Sequence, residues 1–367
     1  MHTSLACPDN CPGCGHRHLT AKESREQKQQ WIMQKLAGWA DCIQSIQAVP
    51  AGEDLGYRDK VCLSARWENK QWHIGLLHHD EVIPIPDCPV HSPRVKNAMA
   101  CLARALPRAS EFPMAYYAQS GAQITLVLKS RQMPAMQWLL PHLIDQLKYI
   151  GVEGLWIHRH PSAGRRVFAK NGWDLVWGKF RSIDSKGFIY GPTAFQQLIP
   201  GLFAQALDSA EAFFNPTRED LIFDLYSGIG ASLSRWREKS DQVLSVELSG
   251  ESIECAAYNA PAAVIYRGTC KHRLPQLTEA LNEVHNKRYI FANPPRTGIE
   301  PETREWIGTV CRPDKLAYLS CSAGTLNRDL KALENAGYGI DRIIPYDFFP
   351  RTHHVETLAL ISRKNQA

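Results

Sequence analysis

No stretch of this 367-residue chain approaches the roughly 18–20 consecutive apolar residues that a membrane helix requires. The first residues, Met1-His2-Thr3-Ser4-Leu5-Ala6-Cys7, carry neither the positive region nor the apolar region of an export signal. Internal repeats and low-complexity tracts are also missing. A cytoplasmic protein that acts as a monomer, without a membrane partner, is the expectation. Neither sign of charge dominates: 42 Lys and Arg stand against 37 Asp and Glu, which permits nucleic-acid binding without demanding it. The 11 cysteines are odd in number and scattered, so with no export signal they do not read as a disulfide framework. The length allows two domains with a substantial core.

The texture of the chain changes along its length. Residues 1–20, rich in Cys, Pro, Gly and His, read as a loop. Residues 21–39 read as a helix, with Ile32, Met33, Leu36 and Trp39 at helical spacing. Val61-Cys62-Leu63-Ser64-Ala65-Arg66-Trp67 and Trp72-His73-Ile74-Gly75-Leu76-Leu77 read as a hairpin turning at Glu68-Asn69-Lys70. A strand at 124–129 and a helix at 136–150 follow. Residues 151–190 hold seven Lys or Arg among seven aromatics. That mixture suits either an antiparallel sheet with a solvated face or a stacking platform for single-stranded RNA. After Pro200 strands alternate with helices, at 221–225, 242–247, 289–293, 316–320 and 357–362. Such alternation predicts a doubly wound α/β sheet. The boundary falls near residue 190, giving domains 1–190 and 191–367, with the 21–39 helix free to pack on either.

The first of those strands, Leu221-Ile222-Phe223-Asp224-Leu225, runs into Tyr226-Ser227-Gly228-Ile229-Gly230. Gly228 and Gly230 let backbone approach a ligand without a Cβ in the way. Glu247 ends the next strand, where an acidic residue suits a ribose diol. A dinucleotide site would carry a third glycine, and Leu233 stands there instead. S-adenosylmethionine, which has no pyrophosphate, fits this turn better.

Three further segments carry chemistry. Asn293-Pro294-Pro295-Arg296-Thr297-Gly298 lies at a strand's C-terminal end, where open α/β sheets bind ligands. In enzymes that methylate exocyclic amines an aromatic residue follows Asn-Pro-Pro; Arg296 in its place counts against an amine target. Cys321, in Tyr318-Leu319-Ser320-Cys321-Ser322-Ala323, sits where an apolar strand gives way to a helix. Taken by itself, a strand-end cysteine is more often inert. Asp347-Phe348-Phe349-Pro350-Arg351-Thr352-His353-His354-Val355-Glu356 gathers a carboxylate, two imidazoles and a hydroxyl before the last strand.

Together these segments resemble the uracil-5 RNA methyltransferase family, over most of the chain. The resemblance is strongest at 226–230, 293–298, 320–330 and 347–356. It implies a Rossmann-like S-adenosylmethionine-dependent methyltransferase domain, α/β in class, preceded by an α+β RNA-binding domain with an iron–sulfur site. It implies Cys321 as nucleophile and Glu356 as base. The cofactor contacts it implies fall on Gln196, Tyr226, Glu247 and Asn293, beside Gly228 and Gly230. Uracil carbon 5 cannot take a methyl group unaided; a thiolate added at carbon 6 makes it nucleophilic. A base must then remove the carbon-5 proton.

Cys7-x3-Cys11-x2-Cys14 is a compact three-thiol cluster. Zinc is the generic reading, with Cys88 as fourth ligand or His16 and His18 serving instead. The resemblance implies a [4Fe–4S] cluster on Cys7, Cys11, Cys14 and Cys88. Many members of the family begin with a small RNA-binding barrel, for which there is no room before Cys7. That departure, Asn293 where many members have Asp, and Gly56-Tyr57-Arg58 resemble the branch acting on 23S rRNA. A tRNA substrate and a non-catalytic RNA-binding protein are the alternatives. Gly268-Thr269 and Gln197-Leu198 depart from the family pattern near the cofactor.

Overall fold

The first helix, α1 (Ala21–Lys35), is set by a capping box. Glu23 N–H donates to Thr20 Oγ1, and Glu23 Oε2 accepts from Thr20 N–H at 2.7 Å. The computed structural model of the chain describes residues 7–50 and 52–364. Of the 1–20 loop expected above, residues 1–6 lie outside the described residues. Of the apolar positions read from the sequence, Ile32, Leu36 and Trp39 are buried and Met33 is exposed; α1 extends the inward line with Ser24 and Lys28. It stops at Lys35; residues 37–42 tighten into a 3-10 turn that buries Trp39, whose indole N–H donates to Glu334.

The chain divides into two compact units. One holds the described residues through His18 together with Pro50–Ala194; the other holds Leu19–Val49 and everything from Phe195 on.

The first unit is a seven-stranded sheet. Its strands are β1 (Lys60–Glu68), β2 (Gln71–His78), β3 (Glu81–Pro84), β4 (Met114–Ser120), β5 (Gln123–Leu128), β6 (Gly154–Arg159) and β7 (Trp173–Gly178), in the order β3-β2-β1-β4-β5-β6-β7. The β1–β2 turn places Asn69 and Lys70 at positive φ, the conformation of a tight two-residue hairpin. Only β5 and β6 pair in parallel. Helices α2 (Pro93–Ala105) and α3 (Pro141–Ile150) pack together over the sheet. α2 starts where Ser92 accepts the Val95 N–H. α3 is shorter than the expected 136–150 helix because Pro141 takes the first helical position. A two-stranded ribbon, β8 (Ser182–Ile183) and β9 (Ile189–Tyr190), ends the unit.

The second unit continues with α4 (Pro200–Phe214), β10 (Leu221–Leu225), α5 (Ala231–Lys239), β11 (Gln242–Glu247), α6 (Gly250–Asn259) and β12 (Val264–Arg267). After α7 (Cys270–Glu279) come β13 (Arg288–Ala292), α8 (Pro301–Trp306), β14 (Lys315–Ser320), α9 (Ala323–Asn335), β15 (Tyr338–Tyr346) and β16 (Glu356–Arg363). The sheet order is β12-β11-β10-β13-β14-β16-β15, parallel up to β14 and antiparallel at β16. The chain winds outward from β10 to β12, then returns to β13 on the other side. Ligands of such sheets bind at that reversal, outside the carboxyl ends of the strands. The doubly wound α/β sheet expected from the alternation is present. Two strands were not expected: β12, four half-exposed residues, and β15, a long edge. Residues 43–47 cover that edge, with Gln44 and Gln47 N–H donating to Ile343 and Pro345 carbonyls at 2.8 Å. Among the described residues, no helix is long and apolar enough to cross a membrane.

Candidate active site

The turn after β10 is built from left-handed backbone. Tyr226, Gly228 and Gly230 have φ of 64°, 57° and 85°. A tyrosine in that region is strained and must be held by its surroundings. Here the Tyr226 and Ser227 N–H groups both donate to the Val246 carbonyl, at 2.9 and 3.3 Å. A Cβ on Gly230 would lie 3.0 Å from the Ala256 Cβ, so this glycine seats the turn against α6. A Cβ on Gly228 would meet nothing within 4 Å, which leaves open space over the turn.

Glu247 closes the turn from β11. Its Oε2 accepts the Gly228 N–H at 2.9 Å and its Oε1 the Ser249 N–H at 2.7 Å. One carboxylate therefore fixes two backbone segments while keeping lone pairs for a diol. The Asn293 N–H donates to the Leu225 carbonyl at 3.2 Å, which fastens the end of β13 to the end of β10. Gln196 is half-buried in the segment leading into α4, and among the described residues no hydrogen bond joins it to the turn. Below the turn, burial pushes the Asp224 carboxyl up to about 8, with the Glu247 charge adding to the rise; nearby Ser232 opposes it.

Cys321 follows the last residue of β14, half-buried, and directly precedes Ser322, the N-cap of α9. The antiparallel register pairs Ser320 with Thr357, and continuing it one step past the end of β14 sets Cys321 opposite Glu356, the first residue of β16. Glu356 is only 4% exposed. Burial pushes its carboxyl up to about 7, opposed by the Arg296 guanidinium. Burial also pushes the Cys321 thiol up; Glu356 adds to the rise and Arg296 again opposes it. Arg296 therefore stands beside both groups. In the sequence Arg296 stands out only as a replacement for an aromatic residue after Asn-Pro-Pro, and nothing local there signals its place beside Cys321 and Glu356.

A second residue missed by the sequence reading fixes the loop that carries Arg296. Asp329, fully buried on α9, accepts from Ile299 N–H at 3.0 Å and Tyr318 Oη–H at 2.9 Å through Oδ2. Its Oδ1 accepts from Arg304 and, at 2.9 Å, from Arg328 Nε. Arg328 also donates to the Thr297 carbonyl. Gly298 has φ of 78°, and a Cβ there would fall 2.5 Å from Asp329 Oδ2. The signal in the sequence was an Asp on the inward face of a helix otherwise lined by Leu326, Leu330 and Leu333.

The 347–355 segment connects Tyr346 to Glu356, which pair across β15 and β16. Its histidines lie side by side, the His353 and His354 rings 4.2 Å apart at their centroids and tilted by 46°. Asp347, expected among the reactive groups of this segment, is instead paired with Lys28 at 2.5 Å.

In the first unit Cys7, Cys11, Cys14 and Cys88 lie within electrostatic reach of one another. Burial pushes the Cys14 thiol up to about 11, with Cys88, Cys11 and Cys7 adding to it; Cys11 is raised in the same way. Cys11 and Cys88 both pack against the core of the first unit. Among the described residues, no three His, Cys, Asp or Glu side chains stand in metal-holding geometry.

Comparison with known proteins follows the same lines. The family model described as tRNA (uracil-5-)-methyltransferase matches residues 181–364. An uncharacterized RNA methyltransferase of Clostridium tetani is 25% identical, over 96% of this chain and 81% of its own. The 23S rRNA (uracil(1939)-C(5))-methyltransferase RlmD of Pseudomonas fluorescens is 25% identical, over 95% of this chain and 76% of its own. Among solved structures, the Pyrococcus abyssi tRNA (uracil-54, C5)-methyltransferase in complex with S-adenosyl-L-homocysteine superposes with a TM-score of 0.70. The two are 21% identical, with 98% of this chain and 86% of that one covered. That likeness shows a shared fold, a Rossmann-like methyltransferase sheet. With half of its length matched by the family model, the chain belongs to the tRNA (uracil-5-)-methyltransferase family and is an RNA methyltransferase.

Proposed function

We propose that this protein methylates carbon 5 of a uracil in 23S rRNA, with S-adenosylmethionine as methyl donor. The observation that carries the reading is the opposition of Cys321 and Glu356 across β14 and β16, with Arg296 beside both. A nucleophile and a base on neighbouring strand ends can address the two ends of one pyrimidine double bond.

The cofactor's contribution is an activated methyl group. The residues that fit it are Tyr226, Gly228, Gly230, Glu247 and Asn293 around the open turn, with Gln196 at the edge. Glu247 keeps lone pairs for the ribose hydroxyls, and Gly228 leaves room above the turn.

The uracil has to leave its helix or loop stack for both ring faces to be reached. Arg296 favours the thiolate of Cys321, which burial and Glu356 otherwise disfavour. The thiolate adds to carbon 6, and carbon 5 becomes the nucleophile that takes the methyl group. Glu356 then accepts the carbon-5 proton, the double bond re-forms, and the sulfur leaves. A carboxyl held near 7 suits a base that must both take and release a proton at neutral pH.

The first unit is proposed to hold the RNA. His158 stacks on Trp173 at 4.0 Å between centroids, and Trp156 meets Phe180 edge-on. Phe180 is 65% exposed, the disposition of a residue that stacks an unpaired base. Cys7, Cys11, Cys14 and Cys88 are proposed to hold a [4Fe–4S] cluster. The proposal follows the family resemblance and a donor set of four thiols, which suits an iron–sulfur cluster; a zinc site would use the same thiols or take His16 or His18. The loop of Cys88 is tied to the Gly56-Tyr57-Arg58 segment, Gly56 N–H donating to Pro89 O and Arg58 N–H to Val90 O. The cluster would then brace the entry to β1.

The likeness to the rRNA enzyme of Pseudomonas supports the ribosomal substrate, together with Asn293 and the four cysteines. A tRNA substrate is the second reading, favoured by the fold shared with the Pyrococcus enzyme. Nucleoside mass spectrometry of rRNA and tRNA from a deletion strain separates them. Loss of 5-methyluridine from 23S rRNA alone is expected; loss from tRNA alone overturns the ribosomal assignment.

A further inference from the structure

Lys28 has a side chain with no exposed surface, and no step derived above uses it. It lies in the middle of the Ser24, Lys28, Ile32 line that α1 buries. Its ammonium donates to Asp347 Oδ1 at 2.5 Å and to the Phe349 carbonyl at 3.0 Å. Burial pushes its pKa down, and the Asp347 carboxylate opposes that fall. Replacing a buried ion pair with apolar residues of similar volume is often neutral or stabilising, so stability alone does not account for this pair.

What it touches is the 347–355 segment. The two ends of that segment, Tyr346 and Glu356, are opposite partners in the sheet. Between them the backbone leaves the ladder and needs anchors of its own. The Asp347 N–H donates to the Gln47 carbonyl at 2.8 Å. The Phe349 carbonyl accepts three donors: Lys28 Nζ, Thr352 N–H at 3.2 Å and Thr352 Oγ1–H at 2.8 Å. Thr352 Oγ1 in turn accepts the His354 N–H at 3.2 Å. A continuous run of hydrogen bonds thus leads from Lys28 to a residue two positions before Glu356. Thr352 and Asp347 are both buried, so water does not compete for these groups.

We propose that Lys28 is a positioning residue for Glu356, acting through the 347–355 segment. The proposal rests on the reading of Glu356 as the base. In the step concerned, the carbon-5 proton passes to the Glu356 carboxylate. The C–H electron pair becomes the carbon 5–carbon 6 double bond, and the carbon 6–sulfur bond breaks with its electrons returning to Cys321. A displaced Glu356 slows this step and leaves thiolate addition and methyl transfer intact.

The signature is therefore a methylated covalent RNA–protein adduct that persists. Full-length Lys28→Met, Lys28→Met/Asp347→Leu and Glu356→Gln are compared with the native chain in single turnover, with RNA and S-adenosylmethionine. Adduct is followed on denaturing gels and by mass, and melting temperature is recorded in parallel. In Lys28→Met the adduct is expected to resolve about tenfold to a hundredfold more slowly, the scale of a small misplacement of a reacting group. The double variant removes the buried unpaired carboxylate. It is expected to regain melting temperature and still hold its adduct. Recovery of both together would make Lys28 a stability element only and overturn the proposal. A Glu356→Gln adduct without a Lys28→Met adduct also overturns it while leaving the base in place. No adduct with Glu356→Gln removes the base assignment, and Lys28's role with it.

Discussion

Asp329 accepts the Ile299 N–H at 3.0 Å, and so the helix behind the thiol holds the loop that carries Arg296. The same carboxylate reaches Tyr318, three residues before Cys321 in β14. One buried side chain thus ties β14, which leads to Cys321, to the loop that carries Arg296. Asp329→Ala leaves Arg304, largely buried, without its partner, and orphans two further buried donors, the Ile299 N–H and the Tyr318 Oη–H. A loss of about 3–5 kcal/mol is expected in urea unfolding. A change below about 1 kcal/mol, the range of exposed ion pairs, would mean that the clamp is not what holds the loop.

Burial pushes the Cys321 thiol and the Glu356 carboxyl up, and Arg296 opposes both rises. As the proposed base Glu356 works only when deprotonated, and burial holds its carboxyl near 7 in the folded chain against 4.5 ordinarily. Adduct resolution should therefore rise with pH through about 7. Stability runs the other way. Between roughly 4.5 and 7 the folded chain keeps a proton that the unfolded chain has released, so this group's contribution falls as pH rises. Arg296→Gln removes the charge opposing both rises, and thiol and carboxyl should then ionise at higher pH. Single-turnover rates measured across pH are expected to move alkaline, with activity lost at neutrality and partly regained in base. An acid shift would contradict the arrangement.

Glu247 holds Gly228 and Ser249 and is proposed to hold the ribose. Glu247→Gln keeps an acceptor and loses the charge. Calorimetric titration with S-adenosylhomocysteine should show binding weakened by about 1.5–3 kcal/mol, the value of a hydrogen bond to a charged group. Unchanged affinity would move the ribose elsewhere.

Cys88→Ser tests the proposed iron–sulfur site. Protein purified without oxygen is expected to be brown, with broad visible absorption that Cys88→Ser abolishes. Colourless protein with stoichiometric zinc would replace the iron–sulfur reading with a zinc site on the same loop.

How much of this was legible in the sequence depends on how local each signal is. β10 and β11 have the bounds read from the sequence, because buried parallel strands are short apolar runs with sharp ends. β15 was not legible: Gly339, Asp341 and Arg342 break its pattern, and it is made a strand by β16 and by residues 43–47. Helical spacing marks Ile32, Leu36 and Trp39, which are buried, together with Met33, which is exposed, but it gives no sign of Lys28, which is buried. Local hydrophobicity cannot reveal a lysine whose partner lies 319 residues away. For the same reason Cys321 looked inert on its own. Its position opposite Glu356 follows from strand register, which periodicity does not encode. Arg296 and Asp329 were visible as residue types, but their partners come from separate strands and helices.

The most direct test of Cys321 as nucleophile is the covalent mass of the protein after reaction with 5-fluorouridine RNA and S-adenosylmethionine. Fluorine at carbon 5 cannot leave as a proton, so the adduct is trapped. The native chain is expected to carry one methylated RNA on the peptide containing Cys321, and Cys321→Ala none. An adduct of undiminished yield in Cys321→Ala would contradict the assignment of this thiol.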